Sequence, residues 1–296
     1  MLPGQQSEPD STIRSRELGD ALRAAMDAAK LTGRGLAKKL GWSQSQVSKL
    51  LTGHRTADEV DVASFLALCG VVGEKRTQLL ALARELGKPG WLQQHGSKLP
   101  EQLQTLIDHE NKAVAIKHFE GLVIPGLLQT DAYARELLLR SGSIPAEEIK
   151  GRVAARLGRQ SLFAADPRPE FTFLIHELVL HLPVGGPEVM SDQLHHLLRM
   201  SVRPYISVRI IPTAFGAHAG IVGSFQLMEF SDIRPVVYLE GETSGLFLEE
   251  KPEIETYRQV FAALTEAALD EGQSRDLIAK LATDLYADRE DHDDRE

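Results

Sequence analysis

Apolar residues recur at three- and four-residue spacing through the first ninety residues, a pattern typical of short amphipathic helices. This spacing predicts five helices, at residues 14–29, 33–40, 43–51, 57–69 and 74–86. Ser43 is a favourable N-cap for the third helix, because its hydroxyl can accept a hydrogen bond from a free amide of the first turn. Five short helices in succession predict an all-α domain at residues 14–87.

Beyond residue 100, helical periodicity is mixed with short β-rich stretches such as FTFLIHE and ISVRIIP. Residues 206–212 alternate like a strand, and residues 224–230 and 235–240 resemble a strand pair joined by a short turn. Helices are predicted at 101–111, 130–140, 146–164, 187–200, 252–270 and 273–287. The pattern predicts an α+β domain with a small sheet at residues 101–288, and an α+β fold class overall.

Composition marks the segments outside these domains. Residues 1–13 are polar and are expected to be disordered. Glycine and proline interrupt the helical pattern at residues 88–100, which indicates a linker. Residues 289–296 are rich in acids and are expected to form an acidic tail.

Charge is distributed unevenly along a chain whose net charge is −9. Residues 1–90 carry 13 Lys/Arg against 10 Asp/Glu, whereas residues 91–296 carry 20 against 32. Residues 28–57 hold six cations and no acid. A local basic field on an acidic protein is typical of nucleic-acid binding, although a solvated helix face gives the same pattern.

Several classes of site are not expected. The single cysteine, Cys69, excludes an intramolecular disulfide and a cysteine-rich zinc site. His176 and His181 are separated by one residue too many for a zinc-protease motif, and no nucleophile elbow or Walker sequence occurs. Without an apolar run of membrane-spanning length or a secretory signal, we expect a cytoplasmic protein that contacts no membrane, has no metal or cofactor and is not an enzyme.

The segment GRGLAKKLGWSQSQVSKLLTG, residues 33–53, fits a helix-turn-helix. Ala37 is small enough for two helices to cross closely, and Gly41 suits a turn that needs a positive φ. Val47 and Leu50 face back onto the preceding helices, so the other side of the third helix faces outward. In the major groove that face would offer base contacts from Gln44, Ser45, Ser48 and Lys49. Phosphate contacts are expected from Arg34, Lys38, Ser43, His54 and Arg55.

These residues resemble the XRE/Cro-type helix-turn-helix of bacterial and phage repressors. The family pattern is matched at Leu36, Ala37, Gly41, Ser43, Val47, Ser48 and Gly53. The chain departs from it at Gly33, where many members have a phosphate-binding glutamine, and at Leu51, where glutamate is usual. The resemblance implies that residues 43–51 enter the major groove of a double-stranded operator.

The resemblance extends through residues 123–137, 152–163, 176–249 and 259–269 to the C-terminal domain of WhiJ-like regulators, which are antitoxin-like actinobacterial proteins. It implies a DNA-binding transcriptional regulator of development or secondary metabolism. Genes of such proteins often lie beside a gene for a small partner protein.

Two hypotheses for the second domain remain. It either senses a small-molecule effector or captures a small partner protein. Arg152, Arg156 and Arg159 recur on one helical face that could bind an anionic effector or partner, unless that face is merely solvated. His218, in a glycine-rich loop, and Tyr238 complete the candidate effector site. A homodimer is also expected, with the apolar rows of the closing helices as one candidate interface.

Overall fold

A computed structural model gives the structure of the chain. It describes residues 11–54, 58–86, 91–94, 101–231, 233–241 and 244–293. The chain divides into two compact units. The first comprises residues 1–92 with the short segments 232–235 and 247–250, and the second comprises the rest.

The first unit contains the five helices that the periodicity predicts. They are α1 Ile13–Ala28, α2 Gly33–Leu40, α3 Gln44–Leu51, α4 Glu59–Leu68 and α5 Gly73–Glu85. Side-chain oxygens cap four of their N-termini, from Thr12, Thr32, Ser43 and Asp58. Leu22, Leu36, Leu50, Phe65 and Leu66 form the centre of a shared apolar core. The predicted all-α domain is confirmed.

The segments expected to lack structure are partly ordered. Thr12 caps α1 and Ile13 is buried, so the last residues of the segment 1–13 belong to the first unit, while residues 1–10 lie outside the described residues. A short strand, β1 Trp91–Gln94, forms within the predicted linker because its backbone pairs with a distant strand. The last helix continues to Asp293, into the predicted acidic tail.

The second unit combines helices with a mixed sheet, as predicted. Its strands are β2 Ala115–Glu120, β3 Glu170–His176, β4 Ile206–Ile211, β5 Phe225–Glu229, β6 Val236–Glu240 and β7 Ser244–Leu248. Its helices are α6 Glu101–Lys112, α7 Asp131–Arg140, α8 Ala146–Gly158, α9 Leu178–His181, α10 Pro187–Ser201, α11 Lys251–Ala267 and α12 Glu271–Asp293. The last two residues of β7, Phe247 and Leu248, are assigned to the first unit.

The described strands form one sheet in the order β1-β7-β6-β5-β2-β3-β4. Strands β2, β3 and β4 are parallel, whereas β5 runs antiparallel to both β2 and β6. The predicted β5–β6 pair is therefore confirmed. The sheet is larger than expected because β1 and β7 extend it on the side of β6.

Successive side chains of a strand point to opposite faces, and both faces of this sheet are covered. On one face, Phe225 packs against Tyr257 and Phe261 of α11. On the other, Phe171 packs against Phe163, which lies in a 3-10 helix at Arg159–Ala164. The sheet is thus the middle layer of the second unit.

The apolar rows of the closing helices serve this core. Ile254, Phe261 and Leu264 of α11 and Ile278 of α12 are buried inside the unit. Tyr257, Leu277 and Leu281 of the same rows are half-buried. The buried members of the rows therefore belong to the core of the unit, and an interface on these helices stays a prediction.

A charged side chain is completely buried beneath the sheet. Glu110 of α6 is 0% exposed, and its carboxylate accepts two hydrogen bonds from Arg159, at 2.8 and 2.6 Å. The amide of Gln226 donates a third, at 2.9 Å. Burial alone would lower the pKa of the Arg159 guanidinium, but the adjacent Glu110 carboxylate raises it above its usual value.

We predict that Arg159→Met lowers the free energy of unfolding by about 3–5 kcal/mol, because it leaves the Glu110 carboxylate buried and unpaired. Urea unfolding followed by circular dichroism measures the loss. Adding Glu110→Gln should recover much of it, since the remaining buried group is then neutral.

The matched control is Arg152→Met. Arg152 pairs with Glu148 of the same helix in a partly exposed bridge of 2.9 Å. Its removal should cost roughly 0–1 kcal/mol. Equal losses for the two variants would contradict the role assigned to burial.

Candidate nucleic-acid interface

Helices α2 and α3 are joined by a tight turn at Gly41. Gly41 ends α2 with φ +70°, the left-handed conformation that favours glycine. Ser43 then begins α3 with a capping box. Its hydroxyl accepts from the Gln46 amide at 3.1 Å, and its own amide donates to the Gln46 side chain at 2.8 Å. This is the geometry that the helix-turn-helix pattern predicts.

The orientation of α3 follows from its buried positions. Val47 and Leu50 belong to the core of the first unit. Gln44, Ser45 and Ser48 are consequently exposed, and Lys49 is half-buried. The structure therefore brings the four candidate base-contacting residues onto the outer part of one short helix.

The exposed side of α3 borders a surface groove of about 460 Å³. Gln44 and Ser48 line it together with Arg34 from α2 and Arg23 from α1. Arginine carries planar donors that suit phosphate oxygens as well as guanine edges. Two cations thus flank the side chains expected to contact bases.

The other residues expected to contact phosphate differ in their exposure and in their hydrogen bonds. Lys38 is exposed on α2. The Ser43 hydroxyl accepts the capping bond, which leaves its own proton available to donate to a phosphate. His54 is half-buried, with its Nδ1 3.1 Å from the Thr52 hydroxyl. Arg55 lies outside the described residues.

The C-terminal end of α3 is anchored to α1, which sequence reasoning missed. Arg23 donates to the Leu51 carbonyl at 2.9 Å, and the Ser15 hydroxyl donates to the Gly53 carbonyl at 2.8 Å. Gly19 allows this close approach, because a Cβ there would lie 2.6 Å from the Leu51 carbonyl oxygen. The periodicity of α1 marks Gly19 only as a non-apolar position, so no local signal identifies the contact.

The candidate effector residues are not all in one place. Arg156 donates to the side chain of Gln129 at 2.8 Å, while Arg159 is buried against Glu110. The predicted face with Arg152 is not continuous, because α8 ends at Gly158 and Arg159 belongs to the 3-10 helix.

Tyr238 and His218 lie on opposite faces of the sheet. Tyr238 is paired in register with Gln226, on the face that meets Glu110. The ring of His218 packs on Phe119, which points to the other face, with 5.6 Å between centroids. The structure therefore unites Tyr238 with Arg156 and Arg159 but separates His218 from them.

A polar cluster surrounds Arg156 at the sheet face that carries Tyr238. Burial lowers the pKa of the Arg156 guanidinium, and Glu120 and Glu240 oppose this effect through their charges. Burial and the Glu240 charge raise the pKa of Tyr238, so its hydroxyl stays protonated at neutral pH. His118 contributes one ring nitrogen to Glu120 at 3.2 Å, and its buried Nδ1 has no partner among the described residues.

The described residues contain no group of three or more His, Cys, Asp or Glu side chains arranged to hold a metal ion. Among the described helices, none combines the length and hydropathy needed to cross a bilayer.

Comparison with known families divides the chain as the fold does. Residues 17–79 match a family model described as a helix-turn-helix domain. Residues 103–280, more than half of the chain, match a model described as a domain of unknown function (DUF5753). Searches of curated proteins and of solved structures returned no significant match.

The capping box generates a stability prediction for α3. Ser43→Ala should lower the free energy of unfolding by about 1 kcal/mol, because the amide of Gln46 loses its acceptor. Ser45→Ala is the matched control, since Ser45 is exposed in the same turn. It should change stability by roughly 0.5 kcal/mol or less. Hydrogen exchange of the α3 amides distinguishes the two, and equal protection in both variants would argue against the cap.

Proposed function

The chain belongs to the DUF5753 family, and because a helix-turn-helix domain precedes the family region, we propose that it is a sequence-specific DNA-binding transcription regulator. In this proposal α3 enters the major groove of a double-stranded operator. The observation that carries it is the exposure of Gln44, Ser45 and Ser48 on a helix anchored at both ends. We also propose that the chain is not an enzyme.

The chemistry of the α3 surface supports base reading. A glutamine amide can contact adenine bidentately, donating to N7 and accepting from N6, or can meet other base edges singly. Gln44 and Ser45 lie in the first turn of α3, the part of a recognition helix that reaches base edges. Arg34 and Lys38 are exposed on α2, and in this proposal they position the helix through phosphate contacts.

Recognition by a single short helix covers only a few base pairs. We therefore propose that the chain binds as a homodimer, with half-sites about 34 Å apart on the operator. The resemblance to WhiJ-like, antitoxin-like regulators and to XRE-type repressors supports regulation by operator binding.

Gln44→Ala should weaken binding to the selected operator by about 1–3 kcal/mol and leave binding to random DNA nearly unchanged. The operator is obtained by selection from a random DNA library with the full chain. Fluorescence anisotropy then gives both affinities. An equal loss of affinity for operator and for random DNA would show that Gln44 does not contribute to base recognition.

The matched variant for phosphate binding is Arg34→Gln, also on the exposed surface. It should weaken binding to operator and to random DNA together, and should reduce the slope of log K against log salt by about one. An unchanged slope would show that Arg34 neutralises no phosphate.

A second function, sensing of a small ligand by the second unit, is favoured by the cluster around Arg156. Its guanidinium makes one hydrogen bond, to a neutral amide, in the described part of the chain. The buried Nδ1 of His118 also has no partner there. A small polar molecule with hydrogen-bonding groups could use both. Such a ligand changes operator affinity only through its differential affinity for the DNA-competent state.

A thermal-shift screen of small polar compounds with the full chain tests this second function. Compounds that stabilise the wild type should lose their effect in Arg156→Met and keep it in Arg152→Met. A true effector must also shift operator affinity, and operator DNA must shift its affinity by the same factor. Hits that stabilise both variants equally would place the ligand elsewhere.

The alternative role of the second unit is capture of a small partner protein. It requires an exposed apolar surface rather than an enclosed polar cluster.

A further inference from the structure

Exposed apolar side chains are concentrated at one edge of the second unit. Val222 is 95% exposed, Ile221 74% and Leu122 67%, and Leu178, Leu182 and Phe215 are exposed as well. All six lie on the chain segments that follow the parallel strands β2, β3 and β4. We call these six residues the edge surface. Exposed apolar side chains grouped on neighbouring segments are a feature of interaction sites on soluble proteins.

Contacts between the three segments hold the edge surface together. Glu177, after β3, accepts from both the amide and the hydroxyl of Thr213, after β4, at 2.7 Å each. The rings of His176 and His218 lie 5.1 Å apart. The edge surface is therefore built on ordered contacts at the end of the sheet.

The segment that carries Val222 is also fixed to β2. The amide of Gly121 donates to the Ser224 hydroxyl at 3.3 Å, and that hydroxyl donates to Glu120 at 2.6 Å. Gly220 lies against the ring of Phe119, so closely that a Cβ there would overlap it. Ile221 and Val222 are thus held outward by a tight turn between two anchored residues.

The segments that form this edge carry acids and histidines, and His181 lies 3.6 Å from Glu177. Residues 118–134, 177–198 and 210–226 contain neither lysine nor arginine. Their acids are Glu120, Asp131, Glu177, Glu188 and Asp192. Burial would raise the pKa of Glu177, but its bonds to Thr213 and its proximity to His181 lower it, so this carboxylate stays ionised at neutral pH.

We propose that the edge surface binds a basic amphipathic segment of a partner polypeptide, with apolar side chains on Ile221 and Val222 and lysines or arginines near Glu177. This inference deepens the partner-capture alternative and rests on it. A segment of this kind lays its apolar residues in an apolar surface while its cations meet complementary charge.

The carboxylates near the edge surface also disfavour other binding partners. A second copy of the chain would bring the same acids together across a two-fold axis, which like-charge repulsion opposes. Nucleic acid and anionic lipid are repelled by the same carboxylates. A basic polypeptide satisfies both the apolar area and the charge.

The test is a selection from a random peptide display library on the full chain, with counter-selection on the double variant Ile221→Ser/Val222→Ser. Enriched peptides should have a net positive charge and apolar residues at three- and four-residue spacing. The best peptide, synthesised with a fluorophore, should bind the double variant at least tenfold more weakly than the wild type. Higher salt should weaken its binding to the wild type.

Val202→Ser is the matched control. Val202 is 71% exposed in the same unit, but it follows α10 and precedes β4, away from the carboxyl ends of the parallel strands that the edge surface follows. It should bind the peptide as the wild type does. Circular dichroism melting of all variants checks that they are folded, and substitutions at exposed positions are expected to leave melting unchanged.

Three results would overturn the proposal. Enriched peptides could be neutral or acidic, the peptide could bind the double variant as tightly as the wild type, or sedimentation could show a wild-type dimer that the double variant dissociates. The last result assigns the edge surface to a second copy. Operator affinity, measured on the same proteins, tests DNA binding separately, because every residue substituted here lies in the second unit.

Discussion

A carboxylate that has been removed completely from water must be paired and hydrogen-bonded, and Glu110 imposes this constraint on the second unit. Arg159 and Gln226, which satisfy it, lie 49 and 116 residues further along the chain. The buried carboxylate of Glu110 therefore fixes the positions of α6, the 3-10 helix after α8 and strand β5 relative to one another. The neighbouring Arg156 and Tyr238 take their positions from the elements that this contact aligns.

The first unit is subject to a different constraint, because it must stabilise a short helix whose outer side remains exposed. An isolated helix of eight residues is unstable in water, because nucleation costs more than so few hydrogen bonds return. Helix α3 is therefore supported at both ends, by the Ser43 capping box and by Arg23 at its terminal carbonyl. A cation at the C-terminal end also complements the helix dipole. Its outer side chains are presented to a ligand with little remaining conformational freedom in the backbone.

The sequence predicted the first unit well, because its signals are local. Apolar spacing located the five helices to within about two residues, and the caps at Ser43 and Gly41 act on their own neighbours. Strands β1 and β7 were missed, since their stability comes from pairing with distant backbone rather than from a local pattern. The burial of Arg159 was missed for the same reason. Helical spacing placed it on one face with Arg152 and Arg156, and no local signal identifies the distant Glu110 that pairs with it.

The separation of core-facing and exposed residues in α3 also affects how a protein of this kind can change the DNA sequence that it binds. Val47 and Leu50 hold the helix in the core, while Gln44 and Ser45 contribute side chains that no other described part of the unit uses as a hydrogen-bond partner. Substitutions at the outer positions are consequently expected to be nearly neutral for folding. The scaffold can then remain unchanged while the outer residues diversify, so that duplicated copies of such a gene could acquire separate operators. The same freedom makes these positions suitable for engineered retargeting.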